Sequence, residues 1–392
     1  MRRSASVTHM GLDIHRNFSQ VSACGQEGQL LWRARLEHAD RTALRAELAK
    51  WPKVPVVLEG SFGWGWISDE LLAVGAQPHL SSSRKVAAWR LARGIAKSNR
   101  TDADLLGDLW LEKKKWWEVW RAPADVRDQR EWLRYRMGLV QMQTQIKNRI
   151  HATLHRHGVV SRHSDLFGVA GRRWLSLLIG EECSQSLLRH SGRQTLKAHL
   201  ILLDQVRRHI AQATRELRGQ IKTLPAARRL MTLAGISWIL AYTIVAEIGR
   251  IERFAGGRSL CTYSLLAPQA EDSGDETDQA PIGRRIGHAG RRTLKWAWIE
   301  AAHTAVRKGG RFKSIFDRRS DNGKRDRGRA YIAVAHDLCR IGYALWKNDV
   351  DYSDCPPPRP GSRSEPSRPG TGQPEHPMVP ALAASAGRQA SS

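Results

Sequence analysis

The stretch Val7-Thr8-His9-Met10-Gly11-Leu12-Asp13-Ile14 decides how the rest of the chain is read. It alternates apolar with small or polar residues, the period of a half-buried strand, and it carries a carboxylate near its end. A strand ending in Asp is common in α/β domains. This one gains meaning from two acids farther along the chain. Val54 to Leu58 makes a second good strand and is followed by Glu59; a third acid, Asp102, opens a helical run. Three carboxylates at the ends of separate elements are how a protein assembles a divalent-metal site for phosphodiester chemistry, because a hard cation wants several oxygen ligands at once.

Outward from Asp13, residues 6 to 110 read as α/β. Phe18–Cys24 and Gln29–Leu36 are two further strands joined by the turn Gly25-Gln26-Glu27-Gly28. Asp40–Trp51 is an amphipathic helix, and Val54–Leu58 is an apolar, β-branched run suited to a sheet interior. Residues 60–75 begin irregularly and become a helix through Ile67, Leu71 and Leu72; Gln77–Leu80 is a short fifth strand. Thr101–Trp110 is helical, with Leu105, Leu106 and Leu109 on one face. Three meandering strands, a helix, a strand, a helix and a strand is an order that resembles the ribonuclease-H-like fold. That fold holds its metals at the ends of the first and fourth strands and on a later helix, the places where Asp13, Glu59 and Asp102 fall.

The charge balance points to a polyanionic partner. The 392 residues carry a formal net charge of +25 at pH 7, and the pI is about 10.6. A field of that sign makes nucleic acid the leading candidate partner, ahead of a membrane surface. No stretch reaches the roughly 18 apolar residues of a membrane span. The basic start Met1-Arg2-Arg3-Ser4 is not followed by an apolar secretory segment. The five cysteines, Cys24, Cys183, Cys261, Cys339 and Cys355, are far apart and lack metal-ligand spacing. Reduced thiols, a cytoplasmic location and no zinc are the resulting expectations.

Beyond the α/β region the pattern becomes helical. Lys113-Lys114-Lys115-Trp116-Trp117-Glu118-Val119-Trp120 joins charge to aromatics. It suits either a stacking and phosphate contact with nucleic acid or a helix end with a tryptophan anchor. From 125 to 220, apolar residues such as Trp132, Leu139, Met142, Ile146, Ile150 and Leu154, and a second run from Leu196 to Ile221, recur at helical steps. Long amphipathic helices of this kind suit an antiparallel arm, a coiled-coil dimerisation element or the inside of a bundle. Residues 226 to 350 form a separate helical unit, in which Leu233-Ala234-Gly235-Ile236 between two short helices resembles a helix-hairpin-helix turn. Arg284, Arg285, Arg291, Arg292 and Lys295 lead a strongly basic stretch that continues to Arg329 and suits phosphate contacts. After about Asp351, Pro, Gly, Ser and Arg dominate, the composition of a disordered tail over 351–392. The division is therefore 6–122, 123–225, 226–350 and the tail, α/β followed by all-α.

Two local constellations carry chemistry. In Lys97-Ser98-Asn99-Arg100-Thr101-Asp102-Ala103-Asp104, Asn99 and Asp102 are three apart and share a helical face; Lys97 and Arg100 supply positive charge beside them. In the polar loop Ala270-Glu271-Asp272-Ser273-Gly274, Ser273 is followed by Gly. Taken locally it reads as a loop residue, and as a nucleophile it would need a base or a metal to activate its hydroxyl.

Gly11-Leu12-Asp13, Leu58-Glu59-Gly60, Lys97 to Ala103, Leu233 to Gly249, Leu266-Ala267-Pro268, Ser273-Gly274 and Gly287-His288-Ala289-Gly290-Arg291-Arg292-Thr293-Leu294-Lys295 occur in one order. In that order they resemble the DEDD-type transposases of bacterial insertion sequences, the family that includes the Piv-like invertases, over about residues 7 to 348. The resemblance implies a RuvC-like domain whose acidic tetrad binds Mg²⁺ or Mn²⁺. It also implies a helical arm and a C-terminal domain with a catalytic serine. It further implies DNA partners (element ends and target), a structured non-coding bridge RNA that guides the choice of sites, and a homo-oligomer, dimer to tetramer. Carried over by motif, Asp13, Glu59 and Asp102 match the first, second and fourth acids, and Ser273 matches the nucleophile. The third acid falls on Asn99, which offers a carbonyl oxygen but no charge. Two other activities stay open beside the recombinase: a nucleic-acid-binding copy weakened by Asn99, and a RuvC-like junction nuclease without serine covalency.

Overall fold

The computed structural model describes residues 6–353, apart from 97, 113, 181–187, 268–290 and the side chains at 99 and 100. Five strands, β1 (His9–Ile14), β2 (Phe18–Cys24), β3 (Leu30–Glu37), β4 (Pro55–Glu59) and β5 (Gln77–Ser81), form one sheet in the order β3-β2-β1-β4-β5. The first three meander antiparallel, while β4 and β5 run parallel to β1. Parallel neighbours need a crossover. Helix α1 (Arg41–Leu48) lies in the connection from β3 to β4, and α2 (Trp64–Ala73) in that from β4 to β5. Asp40 caps α1 by accepting from the Ala43 amide at 2.9 Å, which is why the helix begins there.

The two-residue period of the strands divides the core. Met10, Leu12 and Ile14 face the same way as Val56 and Leu58, and pack with Leu44, Leu48, Ile67 and Leu71 from α1 and α2. Val57, on the opposite face, packs with Val86 of α3 (Ser83–Ala92) and with Leu105, Leu106 and Leu109 of α4 (Asn99–Leu111). Helix α3 was not expected from sequence, and only Val86 along it is buried, so it carries no apolar stripe to read. Helix α4 begins earlier than Thr101. Ser98 and Thr101 form a reciprocal capping box, so Asn99 is its first residue and Asp102 lies in its first turn.

Residues 114–120 are not helical, and their central tryptophan anchors the segment within the α/β core rather than in a domain interface. Trp117 is fully buried against α3 and α4, Val119 donates to the Leu80 carbonyl at 2.8 Å, and Glu118 pairs with His79. Lys115 lies over the Trp110 ring.

Two long helices, α5 (Ala124–Arg156) and α7 (His190–Ile221), pack side by side. Arg136 reaches Thr214 while, at the far end, Leu154 and Leu196 share one apolar cluster, so the pair is antiparallel. Helix α6 (Val169–Ile179) covers the far end through Leu175. Within the described chain the expected arm is thus an intrachain helical pair. Beyond it, α8 (Pro225–Met231), α9 (Trp238–Ile248), α10 (Gly257–Tyr263), α11 (Arg292–Lys308), α12 (Gly310–Ser320) and α13 (Arg327–Asn348) enclose the largest apolar cluster. The turn between α8 and α9 contains Gly235 at φ 91°, and a Cβ there would lie 2.2 Å from the Ala301 carbonyl oxygen. The glycine is therefore required by its close approach to α11 as well as by its backbone angle. The arm is fixed to this unit where buried Arg130 donates to the Ala246 and Glu247 carbonyls at 2.8 and 2.9 Å.

Candidate active site

Strand register brings the first two acids together. Leu12 of β1 pairs with Leu58 of β4, so the next residue on each parallel strand, Asp13 and Glu59, stands beside the other. By the alternation of side chains both belong to the face covered by α4. Gly11 sets how closely α4 approaches that face. A Cβ on Gly11 would lie 2.0 Å from the Ala103 carbonyl oxygen and 2.4 Å from the Gly107 nitrogen, so helix backbone rests directly on strand backbone. Asp102, one residue before that contact, is thereby carried over the strand ends.

Asp13 is buried, whereas Glu59 and Asp102 are half-buried. Burial is the main reason the Asp13 carboxyl is held above its usual pKa, and the negative charges of Asp102 and Glu59 push the same way. His15 opposes them, its Nε2 lying 3.0 Å from Asp13 Oδ2. The three acids are thus near enough to repel one another. Among the described residues, however, no three His, Cys, Asp or Glu side chains stand at metal-ligating distance. The acids therefore feel one another's charge without standing, as the side chains lie, close enough to form a ligand set. The donors are all oxygen and mutually repulsive, the chemistry that a hard divalent cation neutralises.

Asp104, the neighbour that stands closest in sequence to replace the missing acid, is used elsewhere. It accepts from Ser22 Oγ and from Arg33, whose Nε lies 3.1 Å away, and so joins α4 to β2 and β3. It is committed to a structural ion pair. Asn99 is the first residue of α4, one turn before Asp102.

Similarity to known proteins bears on this geometry. Residues 10–158 match the DEDD transposases of IS110 elements, and residues 227–317 match the transposase IS116/IS110/IS902 family. The transposase for insertion sequence element IS1111A of Coxiella burnetii is 23% identical over 363 residues, spanning 90% of this chain and 93% of its own. The transposase for IS1328 of Yersinia enterocolitica is also 23% identical, over 89% of this chain and 99% of its own. The chain belongs to the IS110 family of transposases. Members of the DEDD group use divalent metal ions, and the acids of this transposase all lie within or beside the first matched segment.

The remaining sequence-derived positions of the transposase are placed unevenly. Ser273, Arg284, Arg285 and Lys97 lie outside the described residues, as do the side chains of Asn99 and Arg100 and the tail beyond 353. Arg292 opens α11 and is exposed, Lys295 is half-buried one turn on, and Arg291 turns inward to Glu247. Among the described residues no helix is long and apolar enough to cross a membrane. Sequence reading missed His15 beside Asp13, and it missed the cluster of Arg130, Arg134 and Glu247. Glu247 did leave a signal, as the sole charged residue in the otherwise apolar and neutral run from Trp238 to Ile248.

Proposed function

We propose that this transposase cuts and rejoins the DNA of an insertion sequence at a divalent-metal centre made by Asp13, Glu59 and Asp102. Asn99 adds a fourth, uncharged oxygen donor, and Ser273 is the nucleophile. The observation that carries the reading is the register of β1 and β4, which sets Asp13 beside Glu59 beneath the helix that bears Asp102. A bound Mg²⁺ or Mn²⁺ would supply Lewis-acid polarisation of the scissile phosphate. Asp13, Glu59 and Asp102 would hold and orient that cation. Ser273 Oγ bonds to phosphorus as the phosphorus–oxygen bond to the departing strand breaks, and its own proton leaves to solvent or to a nearby base.

The element order and sheet topology support a RuvC-like assignment for 6–122, with 123–225 as the arm and 226–350 as the serine-bearing domain. The net charge of +25 supports nucleic-acid partners, and the resemblance to DEDD transposases supports a structured guide RNA among them. Exposed Met142, Ile201 and Leu202 on the long helices support assembly of the arm into a homo-oligomer, dimer to tetramer.

The test uses purified protein, element-end DNA, candidate guide RNA and Mg²⁺. Wild type is expected to form a covalent protein–DNA adduct, and Ser273→Ala to form none; an adduct that persists in the variant removes the serine assignment. Asn99 favours one second reading, a copy that binds without cutting. Recombination by Asn99→Asp but not by wild type would establish that reading instead.

A further inference from the structure

A cavity of about 600 Å³ opens between the loop that follows Glu59 and the foot of the arm. Residues 61–65 form one wall, and Arg127, Arg130, Arg134, Tyr135 and Arg291 form the other. The positive charge is only partly met. Arg127 pairs with Asp69 of α2. Arg130 finds carbonyl oxygens and, among the described residues, no carboxylate in hydrogen-bond contact. Arg134 and Arg291 approach the two oxygens of a single acid, Glu247, each at 3.6 Å. That separation is too long for a hydrogen bond, and the Glu247 side chain is 2% exposed with Oε2 unbonded among the described residues. Glu131 is exposed at the rim and makes no ion pair with a described residue. Burial, then the charge of Arg291, lowers the Arg130 pKa to about 10.

Phe62 stands on the lip of this cavity. It is fully exposed, at 101%, three residues after Glu59, so its ring contributes nothing to the core. An exposed ring beside under-neutralised guanidiniums is how proteins hold unpaired nucleotides: bases stack on the ring and phosphates pair with arginine.

We infer that this pocket takes an unpaired nucleotide of the DNA strand beside the phosphate to be cut. Phe62 stacks on the base and Arg134 and Arg291 bind the flanking phosphate. Glu247 is a positioning residue that aims both guanidiniums from behind. The placement beside the scissile phosphate rests on the proposed cleavage centre at Asp13, Glu59 and Asp102; the pocket's affinity for a strand does not require metal.

The test measures binding of a fluorescein-labelled oligothymidylate with one 5-iododeoxyuridine to the full chain in EDTA. Wild type is expected to bind and to photocrosslink at Phe62. Phe62→Ala, which disturbs no packing, is expected to weaken binding about tenfold while Phe62→Tyr retains it. Arg134→Gln is expected to flatten the slope of log affinity against log salt by about 0.7 per lost phosphate contact. Glu247→Gln is expected to weaken binding without altering a Phe62→Ala background further than additively. If wild type binds but both Phe62→Ala and Arg134→Gln match it and the crosslink maps elsewhere, the pocket assignment falls and the DNA-cutting reading stands. If wild type binds neither the oligonucleotide nor element-end DNA, both fall. A ribonucleotide of the same length that outcompetes the DNA and loses its advantage in Phe62→Ala would give the pocket to RNA and overturn the inference.

Discussion

Asp13 is buried, and burial raises its pKa above the ordinary 3.8, so the folded protein holds its proton more tightly than the unfolded chain does. The associated stability is fully present below that ordinary value and is lost as pH rises through the raised one. At neutral pH an ionised Asp13 therefore burdens the metal-free fold. Asp13→Asn should raise the melting temperature in EDTA at neutral pH, by about 2–4 °C per kcal/mol relieved. The gain should shrink as pH falls toward 4, and strand cleavage should be abolished. Thermal melts across pH on both proteins check this, and an equal or lower melting temperature for the variant at pH 7 would contradict it. Asp13, Glu59 and Asp102 were legible in sequence because each ends or opens an element, a position that needs only the hydrophobic period to locate. Asp104 shows the limit. It lies two residues after Asp102 on the same helix, and only the packing of α4 on β2 and β3 shows it committed to Arg33 and Ser22.

At the scale of elements, the site depends on backbone approach. Gly11→Ala forces a methyl group into the Ala103 carbonyl, and α4 must move away from β1. Overpacking of this kind costs about 1–3 kcal/mol. Urea unfolding should show that loss, and the same variant should bind divalent cation poorly because Asp102 moves with the helix. A variant with wild-type metal affinity would separate α4 from the site. Trp117→Ala should cost about 3–5 kcal/mol, as for other large core side chains. It should leave DNA affinity of the folded protein unchanged, since the ring is fully buried; anisotropy measured below the melting temperature decides. The strands, the two long helices and the terminal helical unit were readable from periodicity. Helix α3 was not, because it buries one residue, and the 113–120 segment was ambiguous because charge and tryptophan alternate whether or not the rings face inward.

Over the whole molecule, the count of basic residues overstates the cations free to meet DNA. In the basic stretch after Arg284, Arg311 pairs with Asp337, Lys313 with Asp317, Arg325 with Asp321 and Arg329 with Asp326. These pairs were invisible to composition, which counts charges without their neighbours. Affinity for duplex DNA should still fall linearly in log–log salt plots, with a slope near 0.9 per phosphate contacted. Lys313→Ala, whose cation is already matched one turn along its helix, should leave that slope unchanged. The α/β and all-α halves were both visible in sequence. The meeting of Arg291 with Arg130, Arg134 and Glu247 was not, since it brings two arginines of α5 to residues more than a hundred positions later through the seating of α5 on α9.

The claim on which the rest depends is that Asp13, Glu59 and Asp102 hold one divalent-metal centre. Titration of the full-length protein with Mn²⁺, followed by electron paramagnetic resonance, tests it most directly. Wild type should bind the ion, and Asp13→Asn, Glu59→Gln and Asp102→Asn should each weaken the same site. Undiminished Mn²⁺ binding in all three variants would contradict the account.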